Sequence, residues 1–475
     1  MPHIVTFEPA HISIAAEDGE TILQAQIRAN LRPDAPCGGK GTCGKCKVLI
    51  QGETKLACQT VITEDVCIGL NPEAKLEILE HGISASVLPD AIDRFAIAFD
   101  IGTTTVVAFL LDGHTGAVLS HGSRQNPQSQ YGSDVISRIE YAMANSIESL
   151  SSCIRTAMYE LTADLCRQAS IVPEDITTAA IVGNTAMHHL LLEIDPRPLI
   201  TPPYMPAWKN AFERDNVRIL PNIAGFVGGD TVACMLATRF DQLNELTLLI
   251  DIGTNGEMVL GNRERRIACS TAAGPAFEGA KISCGMRGAV GAVDHVWLEN
   301  NSVQYHVIGD TKAIGLCGSG LLDLAAVLLE CGFMDESGYL ENAAYALCDG
   351  VVLTQKDVRE LQLAKAAIRA GIELLAECFG GSVDDIQRVY LAGAFGNFLK
   401  PESACRIGMI PPQLRDRIIP IGNAAGEGAK LCALRKAEFE YGKEITEKTD
   451  FLELASMPQF QDRYVDALDF CEEEK

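Results

Sequence analysis

No apolar run in this 475-residue chain is long enough to cross a bilayer, and the richest stretches, Phe99 to Leu111 and Leu246 to Ile252, each contain an aspartate. No transmembrane helix is expected. The opening MPHIVTFEPAHI alternates apolar and polar residues and lacks the basic-then-apolar order of a secretory signal, so a cytoplasmic protein is expected. Positive charge is scarce, with 39 Lys and Arg against 63 Asp and Glu and a net charge of −24. Such a field repels phosphate backbones and anionic headgroups, which argues against nucleic acid and membrane surfaces as partners. Two nucleotide signatures are also missing: the phosphate-loop lysine pattern GxxxxGK(S/T), and a GxGxxG turn set between a strand and a helix.

The chain does have length and apolar content, 47% hydrophobic, and so exceeds one compact core; two or three folding units are expected. Residues 3 to 7 and 11 to 15 read as two short strands, followed by an amphipathic helix over Glu20 to Leu31 entered through Asp18-Gly19. A glycine- and cysteine-rich loop follows, then a hairpin in KVLIQGETKLACQT turning at Gln51-Gly52. That order matches an α+β, ferredoxin-like β-grasp domain over residues 1–67. Residues 68–94, with Pro72, Pro89 and no clear period, read as a linker. From 95 to 475 apolar strands alternate with longer helical segments, which predicts an α/β domain. Within it FDIGTTTVVAFLLDG (99–113) and IDIGTNGEMVLGN (250–262) repeat one pattern: a strand ending in Asp-Ile-Gly-Thr, a tight turn, a second strand. A repeat of that length implies two related subdomains, about 95–245 and 246–435, facing across a cleft, with an extension over 436–475.

Seventeen cysteines are present. Most sit singly in apolar patterns, as Cys166, Cys234 and Cys432 do, and read as reduced core thiols; Cys67 is read the same way. Four are different. Cys37, Cys43, Cys46 and Cys58 give C-x5-C-x2-C-x11-C, close to the plant-type [2Fe–2S] spacing C-x4-C-x2-C with a distant fourth cysteine. The glycines between them let the backbone curl and aim N–H groups at sulfur. Zinc is the competing metal, but only one C-x2-C knuckle is present.

Each Asp-Ile-Gly-Thr turn sets an aspartate beside backbone N–H groups and hydroxyls, an arrangement suited to a polyphosphate with Mg²⁺. Asp100 and Asp251 are the expected holders of the metal's water shell, and Gly102, Thr103, Thr104, Thr105, Gly253, Thr254, Asn255 and Gly256 the phosphate donors. With the later YLAGAFG (390–396), the two turns resemble the phosphate and adenosine motifs of the actin, sugar-kinase and heat-shock-chaperone superfamily. That resemblance implies a duplicated actin-like, ribonuclease-H-like ATPase fold, with Gly393, Ala394 and Gly396 letting backbone approach the nucleoside of ATP. It further assigns Asp230, in GGDTVA, to the attacking water, and Glu278 and Lys281, in AAGPAFEGAKI, to the nucleoside flank; a solvated helical pair is the alternative for the last two. In IVGNTAMHHLLL a helix opens at Asn184-Thr185, and His188 and His189 read as ordinary helix residues.

The order of STAAGPAFEG, GLCGSGLLD (with Gly318 and Ser319), GGDTVA and LAGAFGNFL, behind the cysteine cluster, resembles the ATP-dependent reductive activators of corrinoid proteins. The resemblance implies electron transfer from the [2Fe–2S] cluster that takes a partner's corrinoid from Co(II) to Co(I) in a methyl-transfer system. An upstream electron donor is implied as well, and a homodimer is among the assemblies it allows. Larger members carry an extra domain before the first phosphate loop, whereas here only 41 residues separate Cys58 from Asp100. No D-x-H-x-x-G pattern is present, so the corrinoid is expected to belong to the partner. Two other readings stand beside this one: a metabolite kinase with a fused redox-sensing cluster, Asp230 then deprotonating a substrate hydroxyl, and an ATP-driven electron donor to another low-potential acceptor.

Overall fold

The computed structural model describes residues 2–29, 31, 33, 35, 39, 41, 44–70, 83, 87–90, 94–253, 255–271, 273–279 and 281–470. The N-terminal unit comprises β1 (His3–Glu8), β2 (Ile12–Ala16), α1 (Ile22–Arg28), β3 (Lys47–Ile50), β4 (Glu53–Leu56) and β5 (Val66–Leu70). Its five-stranded sheet runs β2-β1-β5-β3-β4, with β1 and β5 parallel and the β3–β4 hairpin turning through Gln51 and Gly52, both at positive φ. This is the β-grasp arrangement. The helix starts two residues later than the apolar period suggests, because Thr21 caps it: Gln24 N donates to the Thr21 hydroxyl at 3.3 Å and Thr21 N to Gln24 Oε1 at 2.9 Å. Strand β5 crosses the expected boundary at residue 67. On it Ile68 points into the core while Cys67 faces solvent, so Cys67 is not a core thiol; consecutive strand residues face opposite ways and the helix covers only one side.

The first subdomain contains β6 (Phe95–Ile101), β7 (Thr105–Asp112), β8 (Val118–Gln125), α2 (Val135–Ala144), α3 (Ile147–Ala169), β9 (Ile176–Gly183), α4 (Thr185–Leu192), β10 (Phe212–Arg214), β11 (Val217–Ile219) and α5 (Gly229–Thr238). The second contains β12 (Thr247–Asp251), β13 (Glu257–Gly261), β14 (Arg266–Ser270), β15 (Ala292–Glu299), β16 (Ser302–Val307), β17 (Gly315–Leu316), α6 (Gly318–Glu330), β18 (Ala344–Cys348), β19 (Val351–Thr354), α7 (Gln355–Phe379), β20 (Arg388–Ala392), α8 (Gly393–Phe398), α9 (Pro401–Arg406), β21 (Ile418–Gly422), α10 (Ala424–Leu434), α11 (Lys436–Glu447), β22 (Asp450–Phe451) and α12 (Pro458–Asp466). The sequence repeat is a repeat of topology. In the order β10-β11-β9-β6-β7-β8, β6 pairs antiparallel with β7 and parallel with β9; in β21-β20-β12-β13-β14-β22, β12 does the same with β13 and β20. Both central strands are covered on two faces, so Leu248, Leu249 and Ile250 are fully buried without alternation. Helices α5 and α10 fill the space between the sheets.

Residues 450–470 are integral to the second subdomain, whereas α11 packs on α5 and α10 between the sheets. Strand β22 extends its sheet beside β14, and Phe460 of α12 joins its core. The described part of the linker is seated rather than free, since Asp90 accepts from Lys436 N at 2.7 Å and so starts α11. Among the described residues no helix is long and apolar enough to cross a membrane. Cys166, Cys234 and Cys432 are buried, unbridged thiols whose pKa is pushed up by burial.

One polar knot holds the α6–β15 layer to the segment that carries α9. The buried Asp323 carboxylate accepts from Ser403 Oγ at 2.5 Å and Lys400 Nζ at 2.9 Å, and from Val296 N at 3.2 Å, with His295 Nδ1 at 3.1 Å. Burial raises its pKa, but the donors from His295, Ser403 and Lys400 outweigh burial and hold it below the ordinary aspartate value. A depressed folded pKa contributes stability that is present above the unfolded pKa and lost as pH falls through the folded one. Asp323→Ala should therefore cost about 3 kcal/mol in a urea titration at neutral pH, and the gap to the parent should narrow as the buffer is taken below pH ~4.

Candidate nucleotide cleft and cluster loop

A cavity of about 320 Å³ lies between the two subdomains. Its floor is built by the repeated strand ends. Asp100, next to last in β6, lies opposite Val107, and Asp251 ends β12 opposite Glu257. Asp230 enters from the first turn of α5, where Thr231 N donates to it at 2.7 Å. Gly228, the residue before α5, packs on the turn after β9; an added Cβ there would lie 2.4 Å from Asn184 Cα. All three aspartates face the cavity, and so does Glu257. Burial, then the neighbouring Asp230 charge, pushes Asp100 up to about 7; burial followed by Asp230, Asp100 and Glu278 does the same for Asp251. Burial lifts Asp230 to about 6 and raises Glu257 well above the usual carboxyl range. Carboxyl oxygens are the hard donors Mg²⁺ takes, and a cation among them would favour their ionised forms. Among the described residues no three lie close enough to share one ion directly. An ion held largely through water and phosphate fits that spacing.

The turn between β6 and β7 is braced from behind. Asn126 Nδ2 donates to Gly102 O at 2.8 Å, Arg138 Nη2 to Thr103 O at 2.6 Å and Asn184 Nδ2 to the Thr103 hydroxyl at 2.9 Å. Arg138 is wholly buried, and burial lowers its pKa to about 10 while it remains a cation at neutral pH. Gly102, Thr103, Thr104 and Thr105 line the cavity; Thr104 Oγ1 donates across it to Glu278 Oε2 at 2.9 Å. From the turn between β12 and β13 Gly253 and Asn255 reach the cavity, whereas Gly256, at positive φ, packs against Thr271 beneath it; Thr254 lies outside the described residues.

At the far end Gly318, Ser319 and Gly393 line the cavity beside Phe277 and Phe395, whose rings stack at 5.2 Å. A Cβ on Gly318 would strike the Phe395 ring at 2.6 Å, so glycine permits that approach. Gly393, at φ +87°, brings its backbone against Asp251: an added Cβ would lie 2.6 Å from Oδ1. Ala394 follows in α8, and Gly396 packs on Leu391 away from the cavity. Lys281 does not share the cleft with Glu278. It faces a separate cavity and pairs with Glu360 at 3.6 Å, because the turn at Gly279 reverses the chain between the two residues. His188 and His189 are buried helix residues outside the cavity, and burial holds His188 neutral with a pKa of about 3.

Two residues escaped sequence reasoning in different ways. Glu257 left a signal, an acid inside the apolar strand EMVLG where the first repeat has Val106. Arg138 left none, being one arginine in an amphipathic helix. In the N-terminal unit Cys46 and Cys58 are buried, while Cys37 and Cys43 lie outside the described residues. Gly39, Gly41 and Gly44 all have positive φ around them, and Gln59 Nε2 points at Cys58 Sγ at 3.9 Å. Curled glycine backbone and a side-chain N–H directed at a buried sulfur fit an iron–sulfur cluster.

Three family models match in order along the chain: a 2Fe-2S iron-sulfur cluster binding domain over residues 5–63, the RACo middle region over 95–243, and the C-terminal ASKHA domain of RACo over 245–475. The corrinoid activation enzyme RamQ of Eubacterium limosum is 37% identical over 413 residues, 78% of this chain and 69% of that protein. The Co(II) methylated amine-specific corrinoid protein reductase of Methanosarcina barkeri is 32% identical over 274 residues, 53% of this chain and 51% of its own length. A solved structure of a reductive activator for a corrinoid, iron-sulfur protein superposes with a TM-score of 0.72 at 29% identity, covering 98% of both chains. With a cysteine-bearing β-grasp domain leading a duplicated nucleotide cleft along the whole sequence, the chain belongs to the RACo family, the reductive activators of corrinoid proteins.

Proposed function

We propose that this chain couples ATP hydrolysis in the cleft to one-electron reduction of a corrinoid protein, taking cobalt from Co(II) to Co(I). The observation that carries the reading is the joining, in one chain, of the cysteine loop and the braced double-aspartate cleft, in the order of a reductive activator that matches it end to end. A [2Fe–2S] cluster held by Cys37, Cys43, Cys46 and Cys58 would supply a one-electron store near about −400 mV. Reduction to Co(I) against an unfavourable potential loses tenfold in equilibrium constant for each ~59 mV, hence the need for a second driving force.

In the cleft Thr103, Thr104, Thr105, Gly102, Gly253, Thr254 and Asn255 are assigned to the phosphates. Gly393, Ala394, Gly318 and Ser319 are assigned to the nucleoside, with Phe277 and Phe395 at its edge. Asp100 and Asp251 are assigned to the water shell of Mg²⁺, Glu257 to its support, and Asp230 to the orientation of the attacking water. Lys281, Gly256 and Gly396 are not assigned direct contacts, since none of them lines the cavity. An upstream low-potential donor to the cluster, a cytoplasmic setting and a homodimer are consistent with this assignment.

Anaerobic visible spectra of the cluster-loaded chain with a Co(II) corrinoid protein and a reductant should show Co(I) only when Mg-ATP is added. Hydrolysis without any cobalt change would transfer the reading to another acceptor or to a kinase. Asp251→Asn should lower ATP turnover by about 10²- to 10³-fold, read as phosphate release under saturating ATP. Cys43→Ser should abolish Co(I) formation while leaving hydrolysis within about twofold of the parent, so joint loss of both would refute the division of labour.

The raised carboxyl pKa values give a signed pH dependence. In the absence of cation and nucleotide, the folded state keeps protons on Asp100, Asp230 and Asp251 that the unfolded chain releases. Stability should therefore fall by a few kcal/mol as pH rises from about 4 to about 7, and added Mg-nucleotide should flatten the slope. Calorimetric midpoints across that range, with and without ligand, test it; a metal-free protein that gains stability over the interval contradicts the electrostatic description of the cleft.

A further inference from the structure

Lys45 stands between two of the cluster cysteines, yet its side chain leaves the β-grasp domain. Its ammonium donates to the carbonyl of Gly279 at 3.1 Å and to the carbonyl of Gly285. Both acceptors belong to one tight turn of the second ATPase subdomain. Gly279 is at φ +76°, a Cβ on it would lie 2.5 Å from Met286 N, and one on Gly285 would lie 2.3 Å from Gly279 O. Close backbone packing thus fixes the two carbonyls as a seat for one ammonium. The residue before the seat is Glu278, whose carboxylate accepts the Thr104 hydroxyl at 2.9 Å inside the nucleotide cleft. Cluster loop and phosphate loop are therefore joined through Lys45, the turn, Glu278 and Thr104.

The last contact is open to competition. A threonine hydroxyl has one proton to donate, and a phosphate oxygen seated at Thr104 claims the proton that Glu278 now accepts. A phosphate and the Glu278 carboxyl group would also crowd the same hydroxyl, since both are oxygen acceptors. Displacing Glu278 moves the adjacent Gly279, whose carbonyl is half of the lysine's seat. A ligand shifts an equilibrium only by its differential affinity, and rivalry for one proton provides that difference here.

We infer that Lys45 is a positioning residue that docks the cluster domain on the nucleotide lobe, and that nucleotide bound at Thr104 weakens this docking and frees the cluster face for its acceptor. The inference rests on the reading of the cleft as an ATP site. Because coupling between two equilibria is reciprocal, a chain without the lysine should bind nucleotide more tightly by the factor through which nucleotide weakens docking.

The test uses the full, cluster-loaded chain and the rate at which an iron chelator bleaches the cluster's visible absorbance, with and without a non-hydrolysable Mg-ATP analogue. For the parent the analogue should accelerate bleaching about five- to tenfold. Lys45→Met should bleach at the fast rate in both conditions, and Lys45→Arg should retain the nucleotide response. Fluorescence titration with a labelled analogue supplies a reading that does not depend on cluster loading, and Lys45→Met should bind about five- to tenfold more tightly than the parent. A Lys45→Met chain that binds the analogue with parental affinity, or keeps a parental bleaching response, overturns the inference alone. Failure of the parent to bind the analogue at all overturns the ATP reading and this inference with it.

Discussion

Four buried carboxyl groups, Asp100, Asp230, Asp251 and Glu257, lie together on the wall of one cavity, and most of the architecture around the cleft can be understood as a way of making that arrangement tolerable. Asp100 and Asp251 lie at the ends of the central strands of two sheets, Asp230 enters on a helix and Glu257 faces Asp251 across a hairpin. Left alone, such groups hold their protons to higher pH than ordinary carboxyls do. They become useful only when positive charge and donors are set against them. Part of that compensation is built in, through the Asn423 side chain beside Asp100, the Thr231 N–H donated to Asp230 and the Asn255 amide donated to Glu257. On the proposed reading, the remainder falls to a cation and its nucleotide.

The duplication explains how this geometry is reached. One strand-turn-strand unit, with a parallel neighbour on its other side, occurs twice, and each copy delivers one aspartate to the same cavity. A side chain presented at the end of a buried parallel strand is held by backbone hydrogen bonds on both sides, so the two acids are positioned by sheet registers rather than by loops. Helices α5 and α10, wedged between the sheets, set how far apart the registers stand.

Much of this was legible in the sequence because it depends on local pattern. Strand ends, the glycine turns and the cysteine spacing are short-range features with few physical readings. What could not be read were contacts across the fold. Glu278 and Lys281 look alike on a helical repeat, and only the reversal at Gly279 sends one into the cleft and the other to Glu360. Cys67 sits in an apolar strand pattern, and which face of the strand is covered depends on where α1 lies. Arg138 is indistinguishable from a solvent-facing arginine until α2 is packed behind the phosphate loop. Residues 450–470, without a nucleotide motif, give no hint that they close the second subdomain.

That closure has a consequence for the order in which the protein is made. The buried Lys365 amine, in the middle of α7, donates to the carbonyl of Asp469 and lies 5.0 Å from the centre of the Phe470 ring. Strand β22 likewise completes its sheet only from residue 450 onward. During synthesis the β-grasp sheet, whose pairings all fall within the first 70 residues, has everything it needs long before the second nucleotide lobe does. Domains fold as units from the N-terminus. The electron-carrying part of the molecule is thus ready to take up iron and sulfide while its energy-coupling part is still on the ribosome, and the two functions come under joint control only when the final helix has been folded in.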